Sequence, residues 1–139
     1  MEYVYRPAAY MVIIEDGVVA MVGSESSCFL PGGGLLAKES PEGAVLRETR
    51  EEVGRSAEVL NEIGSATQYF FSATDDRRYE MLAVFFAGRF TDLEPTTVGE
   101  HCLYWLPVPE AKQRCFHECH AWAIDRLTNL RLNSAEGSK

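Results

Sequence analysis

The chain has 139 residues, 46% hydrophobic and 11% aromatic, which is the usage of one globular domain with material for a core and not that of a disordered chain. Thirteen Lys and Arg stand against twenty-one Asp and Glu, a formal net charge of −8, so the surface repels phosphate backbones and anionic lipid, and neither nucleic acid nor membrane is an expected partner. Uncharged stretches such as Met81–Gly88 fall far short of the ~20 apolar residues that span a bilayer. No secretory signal pattern opens the sequence and the four cysteines are unevenly spaced, so reduced thiols and a cytoplasmic location are the expectation.

From Ala8 to Glu15 and from Val18 to Val22 two β-rich runs flank Asp16-Gly17, a dipeptide suited to a type I′ turn, which predicts a hairpin. A polar loop over Gly23–Ser27 leads to a short strand at Cys28–Leu30 and an abrupt break at Pro31-Gly-Gly-Gly34. Ser40 as cap, Pro41 at the first helical position, Glu42 in the first turn and Gly54 past the last turn predict a helix from about Pro41 to Val53. Ala57–Ala73 and Tyr79–Phe90 read as two long paired strands, with polar Thr74–Arg78 as their exposed tip. His101–Leu106 reads as a short strand, and Pro109 starts a helical tract. Trp122, Ile124, Leu127 and Leu130 recur at helical spacing, predicting a terminal helix from about Phe116 to Leu132 and a frayed tail over Asn133–Lys139. The order makes a single domain over residues 1–139, an α/β sandwich with a mixed sheet, with Trp105 and Trp122 read as core.

The chemistry concentrates between Gly33 and Arg55. On the predicted helix Glu48, Glu51 and Glu52 are related as i, i+3 and i+4, so three carboxylates project from one face and repel one another by a few tenths of a kcal/mol per pair. They also lie in the last turns, where the helix dipole is negative and each exposed acid loses another ~0.3–1 kcal/mol. Arg47 and Arg50 offset part of this, but two guanidiniums do not supply compact charge at the focus of three acids. A hard divalent cation does, and Mg²⁺ takes oxygen ligands while recruiting substrate phosphates into its shell. Glu39, just before the cap, can lean back toward the cluster, and the glycines at 32 to 34 let backbone approach a ligand without Cβ interference.

The spacing Gly33-x5-Glu39-x7-Arg47-Glu48-x-x-Glu51-Glu52-x-Gly54, seven fixed positions across 22 residues, resembles the Nudix box, the signature of the Nudix (MutT-like) hydrolases. Two positions depart from it. Thr49 and Arg55 stand where the box has a bulky aliphatic, which implies slightly weaker packing near the helix and leaves the acids untouched. The resemblance implies a Nudix-type α/β/α sandwich with a central mixed sheet, and metal-dependent hydrolysis of a pyrophosphate bond in a nucleoside diphosphate linked to another moiety. It implies Mg²⁺ (or Mn²⁺) as cofactor, with Glu48, Glu51 and Glu52 as ligands, Glu39 as an outer or second-metal ligand, the Gly32 carbonyl as a further ligand, and Arg47 orienting the glutamates. A small-molecule nucleotide is the implied partner, and a homodimer is compatible with a family in which dimers are common.

The general base is not fixed in the family, and here Glu51 or Glu52 in the box is favoured over Glu94 or Glu100 in the following loop. Arg6, Arg77, Arg78 and Tyr79 could hold phosphate or stack on a base, although an exposed strand start and a solvated turn explain them too. His101, beside Glu100, reads equally as pocket or surface. Cys115-Phe-His117-Glu-Cys119-His120 tempts a zinc assignment, but on a helix the four groups do not converge, and buried thiols beside partly exposed histidines are the better account. The rival reading is a catalytically silent Nudix-like nucleotide-binding regulatory domain, against which stands the complete glutamate set. An RNA-processing member of the family is disfavoured by the net charge.

Overall fold

The computed structural model describes residues 2–24 and 26–137. In chain order the elements are β1 (Val4–Val12), β2 (Ile14–Glu15), β3 (Val18–Ser24), β4 (Ser27–Phe29), β5 (Gly32–Gly34), α1 (Pro41–Val53), β6 (Ala57–Ser72), β7 (Arg77–Phe90), β8 (Leu103–Pro107), α2 (Val108–Arg114) and α3 (Glu118–Gly137). One mixed sheet has the order β5-β1-β7-β6, with β1 parallel to β7 and the other pairs antiparallel. In the second sheet β3 pairs with β2, β4 and β8.

The run Ala8–Ile13 is apolar without alternation because both faces of β1 are covered. Ala8, Tyr10 and Val12 face a core shared with Ala111 of α2 and with Cys119, Ala123, Ile124 and Leu127 of α3. Ala9, Met11 and Ile13 face a second core closed by Ala44 and Val45 of α1. The sheet therefore lies between helices, the expected α/β/α sandwich. Among the described residues no helix is long and apolar enough to cross a membrane.

Two local expectations change where long-range pairing intervenes. Asp16 and Gly17 form the predicted turn with positive φ at both residues, yet the hairpin is confined to Ile14 and Glu15 opposite Val19 and Val18. The rest of the first run belongs to β1 and the other sheet, because Val4–Val12 finds nine partners along β7. The glycine run is not a break but the edge strand β5, Gly32–Gly34 opposite Tyr10–Ala8; glycine's low strand propensity hides such a strand from sequence. The helix over Pro41–Val53 matches its predicted bounds, and the long β6–β7 ribbon matches in kind.

The terminal helix starts at Glu118 and continues to Gly137. Ser138 and Lys139 lie outside the described residues. Trp105 is partly buried, edge-on to Phe90 at 5.8 Å. Trp122 is 40% exposed and so not core: one side meets Phe85 and Arg126 stands over its ring. Thr49 fits its fully buried position because its hydroxyl donates to the Val45 carbonyl at 2.7 Å.

His117 and His120 are 5% and 0% exposed, not partly exposed as their polarity suggested. His120 Nδ1 accepts from the Leu30 amide at 3.2 Å, tying α3 to the strand side. Burial pushes His117 down to about 4, helped by the Arg6 charge, and takes His120 well below its ordinary value. Both are neutral when folded but accept protons near pH 6.5 when unfolded. The unfolded state then binds more protons below that pH, so stability falls on acidification from about 6.5 toward 4, by up to about 1.4 kcal/mol per pH unit per histidine. Thermal midpoints at pH 7 and pH 5 should show this drop, and His117→Gln should make it smaller; an undiminished drop in the variant assigns it to other groups.

Candidate active site

α1 is delimited by local chemistry. The Ser40 hydroxyl accepts from the Gly43 amide at 3.0 Å, and Gly54, left-handed at φ 69°, donates its amide to the Arg50 carbonyl. The helix buries Ala44, Val45, Thr49 and Val53 against the sheet, which turns Arg47, Glu48, Glu51 and Glu52 toward β5 and the loop before the helix.

Arg47 is the hub. Its Nε and Nη2 donate to the two oxygens of Glu39 at 2.7 and 2.9 Å, and its Nη1 donates to Glu48 at 3.0 Å and Glu51 at 3.2 Å. Nη2 also reaches the Gly34 carbonyl at 3.3 Å. The paired bonds from Arg47, with one from the Leu36 amide, hold Glu39 down at about 2, and Glu39 in turn keeps the guanidinium well above its ordinary value.

Glu52 lies outside Arg47's reach. Its partner is the Gly32 amide, at 2.9 Å. Burial pushes Glu52 up to about 8, against the Gly32 N–H and with the charges of Glu48, Glu100 and Glu51 adding to the rise. Glu48 is also raised, burial outweighing its bond to Arg47. One guanidinium thus serves three carboxylates while a fourth stands half-buried with an amide. Among the described residues no three His, Cys, Asp or Glu side chains are preassembled for a metal, which fits Arg47 filling the space between the acids. The donor chemistry, all carboxylate oxygen with surplus negative charge, suits a hard divalent cation. The same absence holds for the Cys115–His120 segment, where Cys115, Phe116 and His117 precede α3 in a non-helical connection.

Glu48 and Glu52 line a cavity of about 640 Å³ together with Gly32, Gly33 and Gly34. The same cavity is walled by Phe29, Phe70, Phe71, Phe116 and His117. These rings touch in series: Phe29 and Phe116 at 5.4 Å, Phe116 and His117 at 4.8 Å, His117 and Phe70 at 4.6 Å, Phe70 and Tyr79 at 5.3 Å. Arg6 joins the acidic and aromatic parts, packed against Gly34 and over the Tyr79 ring at 5.6 Å.

Of the residues read from sequence, Arg6 and His101 line the cavity. Tyr79 supports Arg6 from behind and donates its hydroxyl to Asp75 at 2.6 Å. Arg78 and Arg77 do not join them; at the exposed start of β7, beside the turn from β6, they line a separate depression with Glu2, Val4, Phe71 and Asp76. Glu100 acts on Glu48 and Glu52 through its charge. Glu94 is exposed and outside the cavity lining. Sequence reading missed the place of Phe29, Phe70, Phe116 and His117 in the cavity; the available signals were the run Tyr69-Phe70-Phe71 and the adjacent Phe116 and His117.

The chain matches the family model described as NUDIX domain over residues 4–127. No curated protein matches it. It is similar in structure to a NUDIX hydrolase from Nitrosomonas europaea, at 19% identity and TM-score 0.73 over 89% of this chain and 88% of that one. It is also similar to a MutT protein from Methanosarcina mazei Go1, at 22% identity and TM-score 0.70 over 94% and 98%. A third is the E. coli dihydroneopterin triphosphate pyrophosphohydrolase, at 19% identity and TM-score 0.65 over 88% and 96%.

The raised Glu52 carboxyl gives a stability test. A group whose proton is held more tightly when folded opposes folding increasingly as pH rises from about 4.5 to about 8. In chelator at pH 8, Glu52→Gln should therefore raise the melting midpoint by about 3–5 °C, the effect of on the order of 1 kcal/mol in a domain this size, with little change at pH 4. Equal midpoints at pH 8 would mean that the carboxylate is fully solvated.

Proposed function

The chain belongs to the NUDIX domain family, and from that premise we propose that it hydrolyses a pyrophosphate bond in a nucleoside diphosphate linked to another group, with Mg²⁺ or Mn²⁺. The observation that carries this reading is the half-buried Glu52 beside an Arg47-bridged set of Glu39, Glu48 and Glu51, facing a cavity whose other wall is aromatic. An acidic cluster alone would repel a diphosphate. Glu48, Glu51 and Glu52, with Glu39 and the Gly32 carbonyl in support, would hold the cations, whose charge would supply neutralisation of pyrophosphate oxygens and acidification of a water.

The protein's own groups do the rest. Arg47 holds three glutamates in fixed orientation. Arg6 offers a guanidinium to phosphate oxygens entering past Gly34. Phe29, Phe70 and Phe116 give a nucleobase surfaces to stack on, and His117, neutral at working pH, offers one ring nitrogen to a base edge. A carboxylate takes the proton of the attacking water: Glu51 or Glu52 from the helix, with Glu100 the alternative from the loop. The complete acid set weighs against a silent binding domain.

Two measurements test this reading. Incubated with Mg²⁺ and a panel of nucleoside diphosphate derivatives, the protein should release phosphate-containing products, and Glu51→Gln or Glu52→Gln should lower turnover about 100-fold or more, the usual weight of such groups; variants within twofold of wild type would refute the assignment. Phe116→Ala should raise KM about fivefold to tenfold with kcat little changed, on the order of 1 kcal/mol of lost stacking.

A further inference from the structure

We propose that Arg55 and Asp92 are positioning residues for Glu100: their ion pair fixes the loop between β7 and β8 on the end of α1, and so sets Glu100, whose amide is bonded to the Glu51 carbonyl, relative to the helix acids. The proposal rests on the hydrolytic reading of that site.

Arg55 stands where the family's signature has an aliphatic residue, and it is not a free surface cation. Its Nε donates to Asp92 Oδ1 at 2.6 Å and its Nη2 to the Asp92 carbonyl at 2.8 Å, while Asp92 Oδ2 accepts from the Ser56 amide at 2.9 Å. The guanidinium lies over the Phe90 ring at 4.2 Å. The two side chains are 12% and 14% exposed, so water screens the pair poorly.

From this anchor the loop runs back across the helix end. The Thr96 amide donates to the Gly54 carbonyl at 2.9 Å, the Glu100 amide to the Glu51 carbonyl at 2.9 Å and the His101 amide to the Glu52 carbonyl at 2.8 Å. Terminal carbonyls of a helix have no partner within it; here the loop supplies them. The approach is close enough to need two glycines. A Cβ on Gly54 would lie 2.0 Å from the Thr97 carbonyl oxygen, and one on Gly99 would lie 2.4 Å from that of Glu52. Glu51 and Glu52 thus give side chains to the acid cluster and carbonyls to the loop, so a shift of the loop moves Glu100 relative to both.

The test is a kinetic cycle with Arg55→Leu and Glu100→Gln, joined to amide exchange that needs no turnover. Arg55→Leu should lower kcat at least fivefold with KM within twofold, Arg55→Lys should recover part of it, and in the Glu100→Gln background Arg55→Leu should change kcat less than twofold. Exchange of the Glu100 and His101 amides should quicken at least tenfold in Arg55→Leu, with Ala44 and Val45 unchanged. Equal losses in both backgrounds, an effect confined to KM, or unaltered exchange at Glu100 and His101 would overturn the proposal. If Arg55→Leu does not fold, Asp92→Asn takes its place in the same cycle with the same criteria. Absence of any hydrolysis by the wild-type chain would instead remove the function reading, while the exchange result would still report on the clamp.

Discussion

A single guanidinium stands between the carboxylates of Glu39, Glu48 and Glu51, and the fourth acid, Glu52, is left with a backbone amide. That imbalance governs the site. Were the acids fully neutralised by arginines, a stable surface network would result and nothing would remain to attract a cation. Were Arg47 absent, the acids would splay into solvent and lose their shared focus. The arrangement keeps the carboxylates close at a cost in stability, which burial of Glu52 increases. Groups strained in this way mark functional sites more often than structural ones.

The fold exists around this cluster in a specific way. β1 is buried on both faces, so the sheet behind the site is fixed from two sides. β5 then lies on its edge, and its lack of side chains brings backbone N–H and C=O groups to Glu52 and Arg47. The aromatic wall is recruited from four separate places: β4, the end of β6, and the connection between α2 and α3 supply Phe29, Phe70, Phe116 and His117, and the start of β7 supplies Tyr79 behind Arg6. A substrate with an anionic and a planar end meets complementary surfaces in one cavity.

The two departures from the family's signature are both accommodated by polar contacts. Thr49 is buried without penalty because its hydroxyl is bonded within the helix. Arg55 replaces apolar packing with an ion pair to Asp92 and a stack on Phe90. The weaker packing expected from these residues is thus offset in each case by bonds that sequence position alone does not reveal.

Sequence by itself determined the helix and its bounds, since a serine cap, a proline at the first position and a terminal glycine act on backbone within a few residues. It also determined the family, because the acids and glycines of the signature have fixed spacing along one continuous segment, from β5 through α1 to Gly54. Tertiary structure decided the rest, through partners far apart in the chain. Arg55 meets Asp92 across 37 positions, and His120 meets Leu30 across 90. β1 leaves its local hairpin for β7, and three glycines become a strand because β1 supplies the partner. Local signals fix conformations whose energies are local; the pairing of strands, the burial of histidines and the aromatic wall depend on which distant segment fills the space beside them, and that is settled only when the whole chain packs.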